Sequence, residues 1–258
     1  MKTNMSDTVE LDIAEGIAVV TINRPEARNS VDLSVTLGLS AALDEVESRA
    51  DVSVGILTGA GGNYCAGMDL KAFLRGEVVR VPGRGFAGVT QFVSSKPWIA
   101  AIEGYALAGG FEMALWADLI VASEEAKVGL PEVKRGLVAN AGGLVRLPRQ
   151  LPPRIAAELV LTGDIIPVSD LMPHGLINRI APRGQALGAA RELAMRIAAN
   201  GPLAITASKR VMRESMDWTA EEMFDRQNTI TLPVFTSADA KEGARAFAEK
   251  RVPVWRGE

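Results

Sequence analysis

A change of rhythm along the chain constrains this sequence most. Up to about residue 125, short β-branched runs alternate with helix-length stretches. Beyond about Pro152 strand signals almost vanish. The runs "VELDI", "IAVVTI" and "VSVGILT" read as strands, and "LSVTLGLSAALDEVESRA" as a helix before the third. A polar loop near "RGEVVRVPGRG" precedes a strand "PWIAAIEG", a small-residue helix "GGFEMALWA" and a strand "DLIVAS". Later, only "GLINRIA" keeps a strand signal. "PRIAAELVLTG", "GAARELAMRIAANG", "PLAITASKRVMRES", "AEEMFDRQNTITL" and "SADAKEGARAFAEKR" all read as amphipathic helices. This predicts an α/β core of repeated ββα units followed by a helical C-terminal region. We place the core, with the functional site, at 1–195 and a helical oligomerisation or lid region at 196–258. The late helices form little core alone, so they are expected to pack on the sheet or on a neighbouring subunit.

Composition narrows the classes. A length of 258 residues suits one large domain, and 48% hydrophobic with 23% charged residues is ordinary globular content. A net charge of −3 offers no basic surface for nucleic acid. The first residues lack an apolar leader, and no run approaches the ~18 apolar residues of a membrane span, so a cytoplasmic protein without a membrane partner is expected. The single cysteine, Cys65, excludes a disulfide within the chain. With one histidine, His174, zinc-protease motifs are excluded, and no Cys/His cluster suggests a metal. His174, in "LMPHGLIN", reads as a cap or surface residue, and Trp98, Trp116, Trp218 and Trp255 read as packing residues.

Two glycine-rich segments carry the chemistry. "LTGAGGNYCAGMDL" follows a strand, yet Tyr64 stands where a dinucleotide-binding turn needs its third glycine, and no Gly-Lys-Ser/Thr follows for a P-loop. In "IEGYALAGGFEMALWADLIVAS" a helix is predicted to begin at about Gly109. The first N–H groups of a helix have no intrahelical acceptor and lie at its positive end. The Cys65-Ala66-Gly67-Met68 turn, just before a short helix "DLKAFLR", offers a second N–H at Met68. Two converging N–H groups make an oxyanion hole for charge developing on a carbonyl oxygen. Spacing alone fits plain tight turns and small-residue helix packing equally.

The blocks "NRPEARNSV", "GGNYCAGMDLKAF", "AIEGYALAGGFEMALWADLIVA", "VGLPEVKRGLVANAGGLVRLPR" and "EKRVPVWRG" together resemble the enoyl-CoA hydratase (crotonase) superfamily, in order, from about Val9 to Gly257. "AGMDLKAF", "GFAGVTQ" and "AFAEKRVPVWRG" look most like its carnitinyl-CoA dehydratase branch. The resemblance implies a ClpP/crotonase-like fold and an acyl-CoA thioester as substrate, with CoA part of the substrate and no separate cofactor. It also implies a homotrimer or a hexamer built as a dimer of trimers. It puts the oxyanion hole at the N–H groups of Met68 and Gly109. CoA and acyl contacts carry over to Ala27 and Asn29, to Ala66, Gly67, Met68, Asp69, Leu70 and Lys71, to Asn140, and to Phe247 and Lys250 on the last helix.

Glutamates would carry the protons. Glu112 lies three residues after Gly109 on the first turn of the same helix, and Glu132 twenty residues later in "GLPEVKRG". Both match the paired glutamates of family hydratases. Hydration needs one group to take a proton from water and another to give one to C2, which two carboxylates with separated pKa values achieve. Two departures stand out. Ala108 replaces the first glycine usual before Gly109; being small and not a donor, it is expected to matter little. Asn140 stands where dehalogenases and dienoyl-CoA isomerases of the superfamily place an aspartate, and an amide cannot act as nucleophile or base. The expected activity is therefore a hydro-lyase of the enoyl-CoA hydratase type. Carnitinyl-CoA dehydratase and acyl-CoA double-bond isomerase are the neighbouring alternatives. A non-catalytic RNA-binding or scaffold protein of the same fold is the distant one, and the acidic charge and both glutamates argue against it.

Overall fold

The computed structural model describes residues 2–258. Strands β1 (Lys2–Ser6), β2 (Val9–Ala14) and β3 (Ile17–Ile22) form an antiparallel meander. Helix α1 (Leu33–Ser48) then crosses back, and β4 (Val54–Gly59) pairs parallel to β3. The crossover starts at Asp32, whose carboxylate accepts the Val35 N–H at 2.9 Å. Beyond a short helix α2 (Leu70–Leu74) and a small hairpin, β5 (Arg80–Val81) with β6 (Gly85–Phe86), strand β7 (Trp98–Ile102) pairs parallel to β4.

A second unit follows. Strand β8 (Tyr105–Leu107) leads into α3 (Gly109–Trp116), and β9 (Leu119–Ser123) returns parallel to β7. After β10 (Lys127–Gly129) come a 3₁₀ turn at Pro131–Arg135, α4 (Gly143–Gln150), α5 (Pro153–Thr162) and β11 (Ile165–Pro167). Strand β12 (Arg179–Ala181) closes the main sheet, and α6 (Ala186–Ala198), α7 (Pro202–Glu214), α8 (Met223–Thr236) and α9 (Ala238–Glu249) complete the chain. The main sheet runs β1-β2-β3-β4-β7-β9-β12, and a second sheet runs β11-β10-β8.

The central strands are apolar on both sides because both sides are covered. Alternate residues separate cleanly into two cores. Ala18, Val20, Leu57, Ala100 and Ile102 join one face with Val35, Leu39 and Leu43 of α1 and Phe111 and Met113 of α3. Ile17, Val19, Val54, Ile56, Ile99 and Ala101 form the other with Ala190 and Ala194 of α6. The helical region is less evenly buried. Helix α6 lies on the sheet, so the boundary placed at 195 falls inside a sheet-packed helix that runs to Ala198. By contrast α8 buries no residue in this chain. Three of the tryptophans pack as expected: Trp98 stacks at a tilt on Trp116, with ring centroids 5.4 Å apart, and Trp255 covers Gly201 and Gly243. Among the described residues no helix is long and apolar enough to cross a membrane.

Candidate active site

The bare turn after β4 is a piece of backbone pinned from two sides. Cys65 bridges β8, donating its N–H to Tyr105 and accepting from Leu107. Val31 then takes the groups flanking Met68: its N–H donates to the Gly67 carbonyl at 2.8 Å and its carbonyl accepts the Asp69 N–H at 2.9 Å. That parallel bridge turns the N–H of Met68 itself to the opposite side, away from Val31 and toward the cleft that Met68 lines. Gly67 holds φ +94°, and a Cβ there would meet the Leu107 carbonyl at 2.9 Å and lie 3.3 Å from the Gly109 N. The two proposed donors are therefore neighbours, and only a glycine at 67 leaves the second one open.

Gly109 is the first residue of α3, so its N–H has no intrahelical acceptor. The residue before it is less innocent than its size suggests. Ala108 sits at φ +51°, ψ −128°, a conformation that costs a residue with a Cβ about 1–3 kcal/mol. Its N–H donates to Gly129 at 2.9 Å, which holds the chain in this bend at the mouth of α3. Ala108→Gly is expected to raise stability by about 1 kcal/mol net, or a melting temperature ~2–4 °C higher, measured by thermal unfolding beside wild type.

Both glutamates face the same cleft, a cavity of about 730 Å³ lined also by Ala66, Met68, Phe86, Ala108 and Gly109. Their surroundings differ. Glu112 is buried, and its Oε1 accepts N–H bonds from Ala141 at 2.7 Å and Gly143 at 2.8 Å. Gly143 opens α4, so the carboxylate lies at the positive end of that helix. Burial raises the Glu112 pKa, while the two N–H bonds and the charges of Arg80 and Arg146 pull against it. Glu132, in the 3₁₀ turn, has a buried Oε2 with no hydrogen-bond partner. Burial, helped by the nearby Glu112, lifts its pKa to about 7. Burial raises both carboxyls, Glu132 to about 7, so near neutral pH Glu132 can hold or release a proton, while the N–H bonds and arginine charges at Glu112 work against its burial.

Residues 12–258 match the sequence pattern of the enoyl-CoA hydratase/isomerase family. The chain belongs to this family. Solved relatives agree over nearly the full length. An enoyl-CoA hydratase from Mycobacterium tuberculosis H37Rv is 55% identical, with a TM-score of 0.96 over 97% of this chain and 99% of that one. A carnitinyl-CoA hydratase from Mycobacterium avium is 44% identical, with a TM-score of 0.79 over 97% and 99%. Carnitinyl-CoA dehydratase of Salmonella typhi is 40% identical over 98% of this chain and 100% of its own. The expected crotonase fold, α/β with a helical C-terminal region, is the fold found.

The remaining residues carried over from the enoyl-CoA hydratase/isomerase family fall into three places. Ala66, Met68, Leu70 and Asn140 line the cleft. Ala27, Asn29 and Asp69 do not; they build its frame. The Asn29 side chain is fully buried, accepting the Arg24 N–H and donating to Ala60 and Asn63. Asp69 caps α2 through the N–H groups of Lys71 and Ala72 and pairs with Arg24 at 2.8 Å. Its carboxylate is thus committed to the fold. Lys71 is exposed beside the cleft, and Phe247, 88% exposed, and Lys250 lie away from it within one chain. His174 ends an exposed 3₁₀ turn, as its sequence setting suggests. Burial lifts the Cys65 thiol to about 12, so the side chain next to the turn is inert and serves as a weak acceptor for Gly67.

Several site groups have no sequence signature. The N–H groups of Ala141 and Gly143 are backbone atoms, legible only in the glycine-rich "NAGG". Phe86, from a stretch expected to be a polar loop, packs where a Cβ on Gly109 would be, 2.4 Å from its ring. Arg80, from the same stretch, lines the cleft.

Proposed function

We propose that this protein is a hydro-lyase of the enoyl-CoA hydratase type, adding or removing water across the 2,3 bond of an acyl-CoA thioester. The observation that carries it is the pair of unlike carboxylates, Glu112 and Glu132, in one cleft with the N–H groups of Met68 and Gly109. In this reading the thioester oxygen lies between the two N–H groups, which form the oxyanion hole. Ionised Glu112 takes a proton from water as its oxygen attacks C3. The C2–C3 π electrons move onto the thioester as an enolate, and protonated Glu132 gives its proton to C2. One water is consumed and the enzyme is restored by proton exchange; dehydration runs the same steps backward. CoA enters as part of the substrate, with Leu70 along its path and Lys71 near enough to the rim to meet its phosphates.

The relatives named carnitinyl-CoA dehydratase or hydratase keep a second acyl group in view. A non-catalytic role fits poorly, because an unpartnered buried carboxylate oxygen on Glu132 costs stability without any packing return. The ultraviolet loss of the enoyl-thioester chromophore, followed with crotonyl-CoA, longer enoyl-CoA thioesters and then crotonobetainyl-CoA, tests the reading. Absence of turnover on the whole series overturns it.

We also propose a homotrimer or a dimer of trimers, located in the cytoplasm. Helix α8 offers Phe224 at 67% and Phe235 at 76% exposure, with Leu232 also exposed, an apolar face too large to leave in water. In such an assembly Phe247 and Lys250 would reach a neighbour's cleft rather than their own. Light scattering is expected to give three or six times 27.4 kDa; a monodisperse monomer would remove both the assembly and that cross-subunit role.

A further inference from the structure

The cleft carries a cation that no ion pair holds. Arg80 of β5 lines the cleft, and its guanidinium donates to the Asn140 carbonyl at 2.9 Å and to Asn140 Oδ1 at 2.8 Å. Both acceptors are neutral, and among the described residues Arg80 makes no ion pair. Three of the cleft's other charges have partners. Glu77 is held by Arg75 at 2.6 Å and accepts the Leu33 N–H, and Lys134 pairs with Asp164 at 2.7 Å. Glu112 accepts the N–H groups of Ala141 and Gly143, and the charges of Arg80 and Arg146 favour its ionised form from a distance, with no ion pair to either. Arg135 remains, on the Glu132 turn, and adds to the positive sign.

Position decides what Arg80 meets. Asn140 directly precedes Ala141, whose N–H holds Glu112, and Glu112 marks where C2 and C3 of a bound enoyl group would react. On the hydro-lyase reading, a group bonded to Asn140 then stands on the side of the cleft that C3 and its substituent face. With Oδ1 occupied by Arg80, the Asn140 side-chain NH₂ is left as a further donor to the same space.

We infer that Arg80, seated on Asn140 without a carboxylate partner, selects the acyl group: it favours a short enoyl thioester with an anionic group beyond C3 and disfavours a cationic one. This rests on the hydro-lyase reading. A quaternary ammonium is bound by aromatic faces or unpaired carboxylates, and here Glu77, on the cleft wall with Phe73, is taken by Arg75.

The test compares kcat/KM for three thioesters that share the 2,3 double bond and differ at C4: crotonyl-CoA (neutral), glutaconyl-CoA (anionic) and crotonobetainyl-CoA (cationic). Wild type is expected to prefer glutaconyl-CoA over crotonyl-CoA, and crotonyl-CoA over crotonobetainyl-CoA, each by roughly tenfold, the size of one partly solvated charge contact. Arg80→Met should bring both ratios toward one, while Arg80→Lys keeps their order. Using ratios separates selection from any effect of Arg80 on Glu112, which changes all three substrates alike. In wild type the ratios should also shrink as ionic strength rises, a readout that needs no variant. Preference for crotonobetainyl-CoA, or ratios unmoved in Arg80→Met and by salt, overturns the inference. Failure of wild type on crotonyl-CoA and both charged thioesters instead overturns the hydro-lyase reading beneath it.

Discussion

Glu132→Gln is expected to lower kcat by at least ~10²-fold, with little change in KM, and at the same time to make the protein harder to melt above pH 7. The activity loss follows from removing the acid poised to protonate C2. The stability gain follows from the same burial. The folded carboxyl titrates near 7, against about 4.5 for an exposed one, so between those values the folded state holds a proton that the unfolded chain has released. Stability from this group is complete below about pH 4.5 and is lost as pH rises through 7. Glutamine carries no charge to bury, so the variant should gain on the order of 1–2 kcal/mol at pH 8 and nothing at pH 4. The kcat/KM profile of wild type should fall on its alkaline side near pH 7, and that limb should vanish in Glu132→Gln. Glu112→Gln serves as the contrast: its amide oxygen can still accept from Ala141 and Gly143, so it should lose comparable activity with the loop around it intact. Near wild-type hydration by both variants would end the paired-acid mechanism, and an unchanged melting curve at pH 8 would mean that Glu132 is better solvated than its unpartnered oxygen indicates.

What can be read from the sequence is whatever repeats or persists. Strands β3 and β4 and helix α1 announce themselves because burial on both faces, or on one stripe, forces a pattern several residues long. Strands β8, β10 and β11 have three residues each, too few for an alternation to show, yet they form the second sheet that sets the mouth of α3. Strand β1 reads "KTNMS", too polar to show a strand pattern, because it pairs along one edge of the sheet and its first residues stay exposed. Helix α4 carries Pro148 inside it and starts from glycines, so propensity argues against it; its value lies in the N–H groups it turns on Glu112.

The site divides along the same line. The side chains proposed to react, Glu112 and Glu132, are visible through the family's register, as are the two glycine-rich turns. Groups that act by charge or shape from elsewhere in the chain are not. Arg80 and Phe86 sit in a stretch whose glycines and arginines look like solvent-facing loop, and only folding brings them over Gly109 and Asn140. Ala108 looks harmless by its size, but its backbone angles, not its side chain, are what the site demands.

Gly109→Pro would remove one of the two N–H donors and should cost two or more orders of magnitude in kcat, the effect of deleting one oxyanion-hole donor. Proline is tolerated at the first position of a helix, which is where Gly109 stands. The structure shows why the single substitution is not a clean test. Any Cβ at 109 would lie 2.4 Å from Cε1 and 2.6 Å from Cζ of Phe86, so proline must push that ring aside as well as delete the donor. The ring is buried against the same cleft, and displacing it would spoil substrate fit for reasons unrelated to hydrogen bonding. The informative variant is Gly109→Pro in a Phe86→Ala background, with Phe86→Ala alone as reference. Phe86→Ala should itself cost ~3 kcal/mol or less in stability, since the ring lies at the cleft wall, and should raise KM more than it lowers kcat. Adding Gly109→Pro to it should then lower kcat by the further ~10²-fold or more while circular dichroism and the melting curve stay close to the reference. If the double variant turns over enoyl-CoA as fast as Phe86→Ala, the Gly109 N–H does not carry the developing charge, and Met68 would have to act with some other donor.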